Sequence, residues 1–270
     1  MPELPEVETT VRALRKPLIG SKITGVRSYW PNHIANSTAR DLEERITGQE
    51  ITAVSRRGKY LLFPLSNNDT LIIHLRMSGH LAVVSANLPI HKHDRTVFEL
   101  ANGRELRFRD QRKFGKLYVV RDPETILFKL GPEPLEADFT PSVMKARLQG
   151  RHRALKSLLL DQTFIAGIGN IYADEALFYS QLHPQRLANT LTDDQIQALH
   201  LAIQKVLKLG IEREGASIDL YTKPDGSRGD MQNAVAVFRR TGKPCYHCGT
   251  PIQRTKLGGR STHFCPQCQL

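Results

Sequence analysis

The sequence predicts an α+β chain of several domains: an N-terminal antiparallel β-sandwich with flanking helices, then a helical domain, then a small C-terminal zinc-finger β-hairpin. Three observations predict it. Between Lys59 and Val120 the chain is a succession of short runs rich in Ile, Val, Leu and Phe separated by turn residues, the texture of strands. Beyond a proline-rich stretch, apolar residues recur at helical spacing instead. All four cysteines fall within the last twenty-six of 270 residues. A chain of this length is more simply two or three domains than one.

The first element is a helix, because Val7, Val11, Leu14 and Leu18 share one face and Pro5 suits a first turn, where its missing N–H would be unpaired anyway. The runs KYLLFPL, TLIIHLRM, HLAVV, TVFELA, ELRFRD and KLYVV follow as strands. Asn102-Gly103 between two of them is a two-residue hairpin signal, so the sheet is at least partly antiparallel. Leu130 to Ser142 carries three prolines and reads as a linker. Thr192-Asp193-Asp194-Gln195 is a capping box opening a helix whose Ile196, Leu199, Ile203, Val206 and Leu207 form one face and which ends near Gly210. The polar stretch YTKPDGSRGD reads as a mobile loop.

Composition narrows the partner. Lys and Arg outnumber Asp and Glu by 38 to 27, a formal charge of +11, which fits a polyanion such as nucleic acid or an acidic membrane surface. The excess is local: residues 231–270 hold six Lys or Arg and no Asp or Glu, whereas the first fifty hold seven of each sign. No apolar run is long enough to span a membrane and no secretory or transit pattern opens the chain, so a cytoplasmic location is expected.

The strongest motif is Cys245-x2-Cys248, sixteen residues, then Cys265-x2-Cys268. Two CxxC turns joined by a hairpin, with Gly258-Gly259 as its turn, make a tetrahedral four-cysteine zinc site. Four protein ligands leave no open position, so the metal is structural. His247 and His263 are competing ligands by type. Arg254, Lys256 and Arg260 near the hairpin tip, with no acid nearby, suit phosphate contact.

RFRDQRKFGK, Arg107 to Lys116, interleaves Phe with guanidinium groups, a pattern that can enter a base stack, although alternating Phe in a strand is also ordinary core. The turn Gly167-Ile168-Gly169-Asn170 can bring backbone N–H groups to a phosphate, though a GxG turn alone selects no ligand. MPELPEVE, taken alone, fits a capped helix start with solvated acids. It also fits chemistry. Removal of Met1 would expose Pro2 as a secondary amine titrating far below lysine, a nucleophile for a sugar C1′, with Glu3 beside it to move protons.

Taken together, PELPEVETT, RRGKYL at Arg56 to Leu61, HLRMSG at His74 to Gly79, DQRKFG at Asp110 to Gly115, DQTFIAGIGNIYADE at Asp161 to Glu175 and the four-cysteine finger resemble the bacterial formamidopyrimidine-DNA glycosylases. The resemblance implies a β-sandwich domain at 2–133, a linker at 134–147, a helix–two-turn–helix domain with a lesion-capping loop at 148–236, and a zinc finger at 237–270, with DNA crossing the cleft. It implies a monomer located with the nucleoid, one Zn2+, and damaged double-stranded DNA as substrate. The implied activity is removal of 8-oxoguanine and formamidopyrimidines, then strand cleavage by β,δ-elimination.

Carried onto this chain, Pro2 resembles the Schiff-base nucleophile and Glu3 the general acid/base, with Glu6 supporting them, and Lys59 a lysine that contacts phosphate and assists catalysis. Met77, Arg112 and Phe114 resemble the residues that fill the gap left by an extruded base, Arg112 also facing the orphaned cytosine. Asn170 and Arg260 resemble a phosphate clamp, Arg260 also assisting the second elimination, while His74, His93 and Lys156 resemble further DNA contacts. The chain departs from the family pattern at Phe238, where a tyrosine is common, and at Asp219, where a basic residue is frequent. An endonuclease VIII-like enzyme is the nearest alternative, but that branch typically has glycine where Leu4 stands. A non-enzymatic zinc-ribbon protein would explain the charge and cysteines but not Pro2-Glu3.

Overall fold

The structure, a computed structural model, describes residues 1–218 and 220–270. It divides into two compact units, residues 1–128 with 213–230, and residues 129–212 with 231–270. The segment 213–230 belongs with the N-terminal unit, and the expected linker 134–147 already holds most of a helix, Pro141–Leu148, whose N-cap Thr140 accepts from Val143 N–H. Asp219, one of the two expected departures, lies outside the described residues.

In the first unit, α1 (Leu4–Leu18) buries Val7, Val11, Leu14 and Leu18 in the core cluster. Burying a Val or Leu side chain stabilises by about 1.5–3 kcal/mol, against about 1 for a cap, so the apolar face holds this helix and the cap only fixes where it starts. After it come β1 (Ile23–Ser28), α2 (Ala39–Ile46), β2 (Ser55–Arg57), β3 (Tyr60–Pro64), β4 (Thr70–His74), β5 (Gly79–Ser85), β6 (Asp94–Leu100), β7 (Arg104–Asp110), β8 (Lys116–Val120) and the single turn α3 (Glu124–Leu127). The strands form two antiparallel four-stranded sheets, β1-β6-β7-β5 and β2-β3-β4-β8. Both contribute to one core with α1, including Leu61, Phe63, Leu71 and Ile73 from one sheet and Phe98 and Phe108 from the other. The Asn102-Gly103 turn joins β6 to β7 as expected, with Gly103 at φ +73°.

The second unit contains α4 (Pro141–Leu148), α5 (Leu155–Leu159), α6 (Asn170–Tyr179) and α7 (Asp193–Glu212), then the hairpin β9 (Gln253–Leu257) and β10 (Arg260–Phe264). The predicted capping box opens α7: Gln195 N–H donates to Thr192 Oγ1, and Thr192 N–H to Gln195 Oε1. Close approach of α6 and α7 depends on Gly210, where a Cβ would come within 2.5 Å of the buried Tyr172 ring. Glu175 on α6 is fully buried and accepts from the N–H groups of Ala236, Val237 and Phe238, so one carboxylate anchors the chain just before the finger. Burial, reinforced by the neighbouring Asp174 and opposed by those three bonds, pushes the Glu175 carboxyl above its ordinary range.

Candidate functional site

At the N-terminus, Glu3 is the N-cap of α1 and Glu6 its N3 residue, and the two reciprocate: the Glu3 side chain accepts from Glu6 N–H while Glu6 Oε2 accepts from Glu3 N–H at 2.8 Å. Both carboxylates are buried, so they are not stray surface acids. The second Glu6 oxygen, Oε1, accepts from Ala216 N–H at 2.8 Å. One side chain therefore joins the backbone next to Pro2 to the backbone at Ala216.

Lys59 sits in the β2–β3 turn beside Gly58 (φ +56°), and its side chain is almost wholly buried. His74 ends β4 opposite Tyr60, with which its ring makes an edge contact at 4.5 Å. His74 Nδ1 accepts from Arg76 N–H at 3.0 Å, so the neutral ring carries its proton on Nε2. Burial first, then the charges of Arg76 and Lys59, pull its pKa down to about 3. This imidazole is a hydrogen-bond donor at neutral pH, and not a cation.

The sequence reading placed Met77, Arg112 and Phe114 together, and one residue it overlooked explains how. Asp110, fully buried at the end of β7, accepts through Oδ1 from the Ser78 hydroxyl and from Arg112 N–H (3.2 Å), and through Oδ2 from Gly115 N–H at 2.7 Å. Ser78 Oγ also accepts from Arg112 N–H at 3.0 Å. Gly115 lies directly on Phe108, whose Cζ would be 2.3 Å from a Cβ there. With its root so fixed, the loop turns Phe114 outward, 47% exposed, with the Arg112 guanidinium 4.8 Å from its ring centroid, and Met77 is 39% exposed nearby in sequence to Ser78. Exposed large apolar side chains on a rigid root suit insertion into a stack of bases. An Asp that ends a strand and precedes a glycine turn is the signal that could have found this hub.

His93 stands among His91, Lys92, Arg95 and Arg109. Its Nδ1 lies 3.1 Å from Arg95 Nη2, and partial desolvation together with these neighbours holds its pKa below the ordinary imidazole value.

In the second unit Lys156 is not at the surface. Fully buried on α5, it donates to Asn170 O at 2.9 Å and Asp174 Oδ1 at 2.5 Å. The other Asp174 oxygen accepts from His263 N–H at 3.0 Å. Asn170 Nδ2 donates to Ser261 O at 3.0 Å, and its buried Oδ1 has no hydrogen-bond partner among the described residues. The GIGN turn and the hairpin are thus joined, and Arg260 at the hairpin tip is exposed, its guanidinium without an ion pair among the described residues. Asp174 was missed. Its signal was an acidic pair inside the otherwise apolar NIYADEALF.

The sulfurs of Cys245, Cys248, Cys265 and Cys268 lie within 4.8 Å of one another, with Cys245–Cys268 at 3.9 Å and Cys248–Cys265 at 3.5 Å. A tetrahedral zinc with Zn–S near 2.3 Å requires sulfurs about 3.8 Å apart, so the donor set fits. His247 packs on Phe178 and His263 is taken by Asp174, and neither joins the cluster. Phe238, the other departure, packs its ring against His263 at 5.1 Å.

Comparison with known proteins adds three family matches in chain order: the formamidopyrimidine-DNA glycosylase N-terminal domain at residues 1–117, the H2TH domain of the same enzymes at 130–222, and the zinc finger found in FPG and IleRS at 242–270. The chain is 45% identical to the formamidopyrimidine-DNA glycosylases of Desulforamulus reducens and Pelotomaculum thermopropionicum, in each case over 100% of this chain and 99% of the relative. Among solved structures it is similar to a Lactococcus lactis FPG mutant in complex with a Fapy-dG containing DNA (TM-score 0.94, 38% identity, 99% of both chains) and to Lactococcus lactis Fpg with an abasic site containing DNA (TM-score 0.93, 38% identity, 99% of both chains).

Proposed function

Since the chain belongs to the formamidopyrimidine-DNA glycosylase family and is accordingly a base-excision-repair glycosylase acting on damaged DNA, we propose that it removes oxidised purines through a Schiff base at Pro2. The chain holds one structural Zn2+ in its four-cysteine finger. Among the described residues no helix is long and apolar enough to cross a membrane. We place the enzyme in the cytoplasm with the nucleoid, as a monomer.

The observation that carries the catalytic reading is the reciprocal Glu3–Glu6 cap, which fixes the backbone next to Pro2 in a buried setting. Once Met1 is removed, the Pro2 nitrogen changes from amide to secondary amine. Its lone pair attacks C1′ and the base departs with the electrons of its glycosidic bond, the leaving nitrogen being protonated. The amine then loses its proton and the C1′–O4′ bond opens, O4′ taking up a proton, to leave a ring-opened iminium; this accepts electrons as a C2′ proton is removed and the 3′ phosphate leaves, and a second elimination releases the 5′ phosphate. Glu3 is the group we assign to these proton transfers, and the Lys59 ammonium and Arg260 guanidinium to the phosphates.

Met77, Arg112 and Phe114 fill the vacated position, Arg112 against the unpaired base. Asn170 offers a polar edge to phosphate, with Lys156 holding its turn from beneath and His74 and His93 adding backbone contacts. The test is borohydride trapping with 8-oxoguanine duplex and peptide mapping of the adduct. An adduct at the N-terminus is expected, and Pro2→Gly trapping as well as the parent would overturn the assignment.

A further inference from the structure

Beyond that reading, and resting on Pro2 as nucleophile, the geometry points to Gly215, Ala216 and Tyr221 as positioning residues for the amine: they seat the segment 213–230 on the first turn of α1, so that its placement sets the placement of Pro2.

The contacts form one chain. Ala216 N–H donates to Glu6 Oε1 and Glu3 N–H to Glu6 Oε2, each at 2.8 Å, so a single carboxylate spans the segment and the residue next to Pro2. Gly215 stands at φ +83° with no room for a side chain; a Cβ there would lie 2.9 Å from Glu6 Cγ, 3.0 Å from Glu6 Oε1 and 3.0 Å from Tyr221 Cε1. Tyr221 approaches the same turn from the other side of the segment. Its hydroxyl donates to the Glu6 carbonyl at 3.3 Å, the same oxygen that accepts from the Thr10 hydroxyl at 2.8 Å.

The segment has little freedom to absorb a displacement at Gly215. Asp230 N–H donates to Arg213 O at 2.7 Å and the two side chains pair at 2.6 Å. Gly229 N–H donates to the buried Ser217 Oγ at 3.0 Å, and a Cβ at Gly229 would fall 2.2 Å from Gly215 O. A shift at Gly215 is therefore passed to Glu6. Because Glu6 holds Glu3 N–H, it reaches the residue that bears the amine.

A segment that only recognises the damaged base would be dispensable once the base is gone. The experiment uses the full-length, Met1-processed protein and a duplex with a preformed abasic site, measuring single-turnover borohydride trapping against DNA concentration. Gly226 provides the control: it has the same backbone conformation, φ +84°, but open space around it. Gly215→Ala is expected to lower the saturating trapping rate by about tenfold or more with half-saturation little changed, while Gly226→Ala stays close to the parent. Trapping by Gly215→Ala at the parental rate, with only 8-oxoguanine excision reduced, would overturn the proposal, as would equal losses in both variants.

If Gly215→Ala lacks the parental circular dichroism, Tyr221→Phe decides by the same measurement: a slower saturating rate supports the coupling and an unchanged one removes it. Absence of any adduct from the parent protein is a distinct outcome, which removes the Pro2 assignment and this inference with it.

Discussion

The Ser78 hydroxyl donates to Asp110 Oδ1, and this bond ties the turn that carries Met77 to the loop that carries Arg112 and Phe114. Three side chains from two sequence motifs thereby share one buried anchor. Above that anchor Arg112 and Phe114 also meet, guanidinium over ring.

Asp110→Asn tests the anchor. The amide can place only one acceptor where two are used, so either Gly115 N–H or the Ser78 hydroxyl loses its partner, and a bond to a buried charged group is worth about 1.5–3 kcal/mol. Thermal unfolding should show a loss of that order. Titration with abasic duplex should show weaker binding, while trapping at saturating DNA stays near the parental rate.

His74 should leave a mark on stability against pH. Its folded pKa, about 3, lies below the unfolded value near 6.5, so the unfolded chain binds the extra proton between these values. Stability is complete above about pH 6.5 and falls as pH drops toward 3, by up to roughly 1.4 kcal/mol per pH unit from this group. His33, pulled to about 4 by burial, acts in the same direction. His74→Gln should flatten the fall in melting temperature between pH 6.5 and 4.5, and an unchanged slope would contradict a neutral buried imidazole.

Arg260 and Arg112 should separate in their salt and base dependence. A phosphate-contacting Arg260 predicts that Arg260→Ala reduces the slope of log K against log salt by about 0.9 for duplex DNA. Arg112→Ala should instead alter discrimination between bases opposite the lesion. Binding titrations from low to moderate salt with each opposite base would reveal both effects.

Lys156→Met should be strongly destabilising, because it leaves the Asp174 charge buried with one oxygen unpaired, a loss of about 3–5 kcal/mol for a broken buried pair. Lys156→Met with Asp174→Leu should recover much of the stability. It should not recover DNA affinity, since the bond that His263 N–H in the hairpin donates to Asp174 is then gone.

Metal removal should act on the same hairpin from its other end. Cys248→Ser, or chelation of the parent protein, should lower zinc content by elemental analysis and weaken duplex binding together. Zinc loss with full retention of affinity would detach the finger from DNA recognition.

What the sequence made legible was local or repetitive. The face of Val7, Val11, Leu14 and Leu18, the Asn102-Gly103 hairpin, the Thr192–Gln195 capping box and the two CxxC turns depend on neighbours within a few residues or on spacing alone. The short strand β2 escaped notice because SRR has no apolar alternation and is held by pairing to β3. Long-range polar partners were illegible for a related reason. Nothing in the letters links Glu6 to Ala216, 210 residues away, or Asp174 to His263, 89 residues away. The resemblance offered Lys156 only as a further DNA contact; lysine is rarely buried, and only the fold supplies the carboxylate that makes its burial tolerable.

The two oxygens of Asp174, one taken by Lys156 beneath the GIGN turn and the other by His263 in the hairpin, bear on how far the finger is a transferable cassette. A fragment cut before residue 237 keeps all four sulfurs and leaves behind the carboxylate that aligns its hairpin. Grafted onto another scaffold, it would be expected to load metal and yet aim Arg260 at nothing in particular.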